Sequence, residues 1–80
     1  MFVPVVDMKL TGRNIASLRA QRGISVRDLQ LMLGFTTPQS IYKWQRGETL
    51  PTIENLAALA CILGVSMDAI LAVECRKVAS

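Results

Sequence analysis

Apolar residues recur along this chain at helical spacing in short stretches, and each stretch runs into a glycine. Gly23, Gly34, Gly47 and Gly64 stand where a helix needs a left-handed residue to stop. The pattern predicts five helices. The first follows Thr11 as N-cap, with Leu10 and Ile15 spaced as a hydrophobic staple and Ile15 and Leu18 turned inward. Its Arg19 lies only about 40° round from Ile15, so the stem of that side chain is partly covered. The second helix starts at Ser25, with Asp28 three residues on as a capping box. Ile24 and Leu29 form its staple, and Leu29, Met32 and Leu33 its apolar stripe. The third takes Thr37 as N-cap and Pro38 in its first turn. After the loop Glu48–Pro51, Thr52 caps a fourth helix with Leu56, Leu59, Ala60 and Leu63 inward. Val65 and Ser66 start the fifth, with Ile70 folding back on Val65. Strand character is confined to Phe2–Val6, where Pro4 argues against a central strand. The division expected is an N-terminal arm over 1–10, a helical domain over 11–73 and a frayed C-terminal tail over 74–80.

The third helix has two unlike sides. With Pro38 at 0°, Ile41 and Trp44 fall at about 300° and 240°. Opposite them, between about 40° and 140°, lie Tyr42, Arg46, Gln39 and Lys43. Solvated helix faces commonly mix Lys with Glu to gain pairs four residues apart. This face contains no acid. Glutamine can bond both N6 and N7 of adenine, and Lys or Arg can bond O6 and N7 of guanine. Tyrosine can donate to phosphate. The free amides at the helix start, near Thr37 and Gln39, suit a phosphate as well.

Charge points the same way. The net charge of the 80 residues is +3. Lys9, Arg13, Arg19, Arg22, Arg27, Lys43 and Arg46 face only Asp7 and Asp28 in residues 1–47. In residues 48–80, Glu48, Glu54, Asp68 and Glu74 outnumber Arg76 and Lys77. One half is basic and the other acidic, which suits a polyanion on one side. The chain has no histidine, no CxxC pair and no phosphate-binding glycine loop, so neither a metal site, a cofactor nor catalysis is expected. Cys61 sits in an apolar run and reads as a core thiol of a reducing compartment. A bridge to Cys75 is the less favoured alternative. Residues 1–6 are apolar without a basic lead-in, and the run Leu56–Leu63 is far below the ~20 residues of a membrane span. A cytoplasmic setting is expected.

From Thr11 to Leu71 the chain resembles the Cro/phage-repressor (Xre-type) helix-turn-helix family. The resemblance is carried by I-A-S-L-R-A-Q-R-G-I-S-V-R-D-L at Ile15–Leu29, L-G-F-T at Leu33–Thr36 and S-I-Y-K-W-Q-R-G at Ser40–Gly47. L-P-T-I-E-N-L-A-A-L-A at Leu50–Ala60 and G-V-S-M-D-A-I-L at Gly64–Leu71 complete it. It implies an all-α, five-helix lambda-repressor-like DNA-binding domain with a helix-turn-helix and a short extended N-terminal arm. It implies base reading by Gln39, Tyr42 and Lys43, and phosphate contacts from Ser25, Arg27, Thr37 and Arg46. It also implies a homodimer on a palindromic double-stranded operator, with half-sites about one helical turn apart.

The chain departs from that family in four places. Val26 replaces the glutamine common after the second helix cap. Gln30 takes a position where a small residue is usual. The turn before the third helix is one residue longer. Gln45 replaces a glutamate, so a hydrogen bond from Arg19 to a neutral Gln45 is expected instead of an ion pair.

One helix reads too few bases to be selective in a genome, which favours a dimer. The fourth helix is apolar nearly all round and normally such a helix is covered on both sides. Ala58, Cys61 and Ile62 are therefore the expected dimer face. The leading expectation is a DNA-binding transcriptional regulator, with repression as the expected mode. The alternative is a protein-interaction module on the same fold, such as an antitoxin that binds a partner protein.

Overall fold

The structure, a computed structural model, describes residues 1–78. Its order is β1 (Phe2–Val6), α1 (Met8–Gln21), α2 (Val26–Leu33), α3 (Gln39–Gln45), α4 (Ile53–Leu63), α5 (Met67–Ile70) and β2 (Val73–Lys77). The five helices enclose one core of Ile15, Leu29, Ile41, Trp44, Leu56, Leu59, Ala60, Leu63 and Ile70. Leu18, Ile24, Val26, Leu33, Phe35, Ile62, Val65 and Leu71 pack around it, half-buried. Each helix thus contributes at least one buried apolar residue, and the inward set anticipated for α4 is buried throughout.

Local chemistry fixes most boundaries. Ser25 Oγ accepts the Asp28 amide at 3.0 Å, and the Asp28 carboxylate accepts the Ser25 amide at 3.4 Å, closing the capping box. Thr52 and Ser66 cap α4 and α5 through the amides of Asn55 and Ala69. Gly34 and Gly64 end α2 and α4 at φ +73° and +67°, where a Cβ would add strain.

Two helix starts differ from the expectation. Helix α1 begins one turn earlier than Thr11: Asp7 is the N-cap, its carboxylate accepting the Leu10 amide at 2.9 Å. Leu10 is exposed and makes no staple. Thr11 instead lies inside α1, 1% exposed, where its hydroxyl accepts the Ala72 amide at 3.0 Å. An N-cap stands at the helix end with extended backbone, as Asp7 does, whereas Thr11 is already helical and its hydroxyl is spent on a tertiary hydrogen bond. Helix α3 starts after Pro38, without a side-chain cap, so Thr37 does not cap it. On α2, Met32 is exposed beside Leu31, and Val26 takes the inward place assigned to Met32.

The C-terminal tail is the larger difference. Residues 73–77 form β2, antiparallel to β1, pairing Phe2 with Lys77, Pro4 with Cys75 and Val6 with Val73. Asp7 N donates to Ala72 O and Val78 N to Met1 O, each at 2.9 Å, closing the ribbon at both ends. The ribbon gives the molecule a long axis of 47 Å against 22 and 20 Å. Pro4 sits on an edge strand with its N–H side away from β2, a setting in which a strand tolerates proline.

The close packing of α1 on α3 positions the rest. Gly12 is buried, and a Cβ placed there would lie 2.8 Å from the Gln45 carbonyl oxygen and nearer still to that of Trp44. Only glycine lets the two backbones meet at that distance. The anticipated contact with Gln45 is present: Arg19 Nε donates to Gln45 Oε1 at 3.1 Å, and Arg19 Nη1 donates to Ile24 O at 3.0 Å. One guanidinium so ties α1 to the end of α3 and the start of α2.

Two stability measurements follow. Alanine inside a helix ordinarily gains about 1 kcal/mol over glycine. At residue 12 the overlap outweighs that gain, so Gly12→Ala should lose about 2 kcal/mol and lower Tm by about 10 °C. An unchanged or higher Tm would show that α1 and α3 are not held this close. Gln45→Glu should raise Tm by a few degrees, because hydrogen bonds between ionised groups are stronger than those to a neutral amide. No change or a fall would count against the Arg19–Gln45 contact.

Candidate nucleic-acid interface

Helix α3 is held from beneath by its own apolar residues. Ile41 is fully buried and Trp44 nearly so. The Trp44 ring meets Phe35 edge to face, with centroids 5.8 Å apart and planes at 67°. Phe35 belongs to the turn between α2 and α3, so this contact sets the turn against the inner side of α3. Gln30 fastens the same turn. Its main-chain carbonyl accepts the Phe35 amide at 3.0 Å, and its side-chain amide donates to Phe35 O at 3.3 Å. The larger residue on α2 and the longer turn are thus matched to one another.

With Ile41 and Trp44 committed to the core, Gln39, Tyr42 and Lys43 are all exposed on the opposite side, and Arg46 is exposed at the C-cap. The three residues expected to read bases therefore share one accessible face. Thr37 is exposed at the head of that face. Thr36, Thr37 and Ser40 line a shallow recess with Gly34 and Phe35 beside the start of α3. Thr36 and Ser40 were not singled out from the sequence. Small hydroxyl residues in a turn carry no periodic signal, and only the turn's conformation places them together.

The start of α2 is more mixed. Ser25 and Arg27 are exposed, as a phosphate contact requires, but Asp28 is engaged with Ser25 in the same turn. The Ser25 oxygen already accepts one amide, leaving its hydroxyl hydrogen available to donate. Val26 is half-buried against the core, so the residue that departs from the family pattern serves packing.

Arg46 is not free. Its Nη2 lies 2.9 Å from Glu48 Oε2, with the two side chains 57% and 51% exposed. The hydrogen bond to Arg46, helped by the charges of Arg46 and Lys43, holds the Glu48 carboxyl below its ordinary range, and the same bond raises Arg46. Glu48 is therefore ionised at neutral pH and sits beside two of the cations of this face. Its pairing runs across the Gly47 turn, outside the helical spacing by which the face was read.

Away from this face, the three α4 residues expected at a dimer contact are differently placed. Ala58 is half-buried, and so is Ile62, which packs on the core of its own chain. Cys61 is exposed, not a core thiol, and both cysteines are free. Because α4 is apolar nearly all round, its sequence does not say which side the other helices leave uncovered. Among the described residues no group of His, Cys, Asp or Glu is placed to hold a metal ion, and no helix is long and apolar enough to cross a membrane.

A helix standing outward on a buried aromatic anchor, preceded by a second helix and a tight turn, defines a helix-turn-helix domain. A helix-turn-helix family model matches residues 15–70, and the chain belongs to that family, in its Cro/phage-repressor (Xre) branch. It is 39% identical over 62 residues to an uncharacterized HTH-type transcriptional regulator, y4dJ, of Sinorhizobium fredii, covering 76% of this chain and 79% of that one. Its fold is similar to that of the restriction-modification controller protein C.AhdI from Aeromonas hydrophila. There the TM-score is 0.72 at 22% identity, over 80% of this chain and 96% of that one. The clp gene regulator ClgR from C. glutamicum is similar too, with TM-score 0.69 and 25% identity over 79% of this chain and 80% of that one.

Glu48→Gln should release Arg46 and remove a negative charge from the edge of the α3 face. Affinity for duplex DNA at low salt should rise about threefold to tenfold, and the gain should shrink as salt screens it. Filter binding or fluorescence anisotropy across a salt series would measure this. An unchanged affinity would place Arg46 and Lys43 outside the contact.

Proposed function

We propose that this chain is a cytoplasmic transcriptional regulator that binds double-stranded DNA as a homodimer, acting chiefly as a repressor at a palindromic operator. One observation carries the reading. Gln39, Tyr42 and Lys43 stand together on the accessible side of a helix whose opposite side is fixed by Ile41 and Trp44. A helix presented this way fits the major groove, about 12 Å wide, where amide and ammonium groups distinguish base pairs.

In this reading Gln39 bonds an adenine edge and Lys43 a guanine edge. Tyr42 packs on a thymine methyl or donates to phosphate. Ser25, Arg27, Thr37 and Arg46 hold the flanking phosphates, which set register and supply the salt-dependent part of the affinity. That the y4dJ and ClgR proteins are regulators agrees with it.

Sites selected from random DNA at a stated salt concentration would give the operator, and a palindromic consensus would report the two-fold symmetry with it. On that operator the Gln39→Ala/Lys43→Ala protein should lose at least about thirtyfold in affinity, since each good bidentate contact is worth about 1–3 kcal/mol. Its far-UV spectrum and Tm should stay those of the parent. Retained sequence-specific binding would overturn the assignment of α3. A folded chain with no salt-sensitive DNA affinity that instead holds a partner protein would favour the interaction-module reading.

A further inference from the structure

We propose that a second copy of this chain docks along the outer edge of β2, joining the two ribbons into one four-stranded sheet with order β1-β2-β2-β1. This deepens the homodimer part of the reading above by naming where the copies meet, and it rests on that reading only in taking the second copy as the occupant.

The hydrogen-bonding phase of the ribbon is fixed at both ends. Asp7 N donates to Ala72 O and Val78 N to Met1 O, so these two positions are hydrogen-bonded pairs. Pairs alternate along an antiparallel ladder. Phe2–Lys77, Pro4–Cys75 and Val6–Val73 are therefore the non-bonded pairs. Pro4, which has no N–H to give, falls correctly among them. It follows that the amides and carbonyls of Val73, Cys75 and Lys77 point away from β1, along the free edge of β2.

The two free edges of the ribbon are unlike. Pro4 interrupts the middle of the β1 edge and blunts it against further pairing. The β2 edge, Val-Glu-Cys-Arg-Lys, contains no proline or glycine, and all five residues are exposed. That edge is also complementary to itself. With a two-fold axis at Cys75, each Cys75 exchanges both main-chain hydrogen bonds with its counterpart, and Val73 does the same with Lys77 on either side. Glu74 of each copy then stands directly opposite Arg76 of the other, at the closely spaced, non-bonded positions where side chains interact most. Within one chain Arg76 Nη2 already lies 3.4 Å from Glu74 Oε2, both side chains more than half exposed. Pairing two copies would set these four charges in alternation. A shift of register by one residue would lose the Glu74–Arg76 match.

The test is sedimentation equilibrium of the full chain without DNA. The parent should show a monomer–dimer equilibrium at micromolar concentration. Arg76→Glu and Glu74→Arg should each weaken the dimer about tenfold or more, because each sets like charges opposite one another twice in the assembly. The double reversal, Glu74→Arg/Arg76→Glu, should return it to within about threefold of the parent, since the match is then restored with its sign exchanged. Cys75→Pro, which removes an outward amide and spares the bonds to β1, should abolish the dimer. If that variant loses its fold, the charge series still decides the matter. Facing cysteines at a hydrogen-bonded pair have Cα atoms about 5.5 Å apart, within disulfide reach. Diamide, which takes up the two thiol hydrogens, should therefore crosslink Cys61→Ser protein and not Cys75→Ser protein. A monomer throughout the concentration range, a dimer indifferent to the charge series, or crosslinking through Cys61 alone would overturn the proposal. Because no DNA is present, failure of base reading by α3 would leave these results unchanged.

Discussion

The approach of α1 to α3 at Gly12 is the constraint on which the remaining geometry depends. Two helix backbones meet there without an intervening side chain, and the Arg19 guanidinium locks the same pair a short way along. That contact presses Trp44 into the core and so decides which side of α3 is left for solvent. The outward display of Gln39, Tyr42 and Lys43 is thus a consequence of burial on the other side. Nothing on the exposed face has to hold it in place.

The ribbon and the helices are joined at few points, and the joints are polar. Thr11 receives the Ala72 amide, Asp7 donates its amide to Ala72 and caps α1, and Asn14 Nδ2 donates to Ile70 O at 3.0 Å. These bonds bring the start of α1 and the end of α5 together and deliver β2 to β1. Apolar packing decides the helix arrangement, while directional hydrogen bonds decide where the two chain ends go. Each of the buried groups involved is satisfied, as burial requires.

The helices were legible in the sequence where local chemistry alone sets them. Ser25, Thr52 and Ser66 announce helix starts, and Leu56, Leu59, Ala60 and Leu63 show a stripe that the fold buries. The Arg19–Gln45 bond could be anticipated because both residues occupy known places in the family pattern. Thr11 misled because two good caps, Asp7 and Thr11, stand one turn apart, and the choice between them is made by Ala72 at the other end of the chain. Strand β2 was invisible for a related reason. Val-Glu-Cys-Arg-Lys alternates apolar and polar over only four residues, with just Val73 and Cys75 on the apolar side, and becomes a strand only against β1. The accessible face of α3 was readable from angular position, whereas the Arg46–Glu48 pair depends on a glycine turn that periodicity does not describe.

The pairing of the first strand with the last has a consequence for how the chain matures. Asp7 and Thr11 wait for Ala72, and Val3 and Val5 wait for a partner strand that is made only after all five helices. The helical core can gather in advance from contacts closer in sequence, but the ribbon closes only between strands separated by all five helices, a slow kind of contact to form. Until then an apolar strand stands unpaired on the nascent protein. Pro4, in the middle of that strand, limits the traffic it could attract from other unfinished chains.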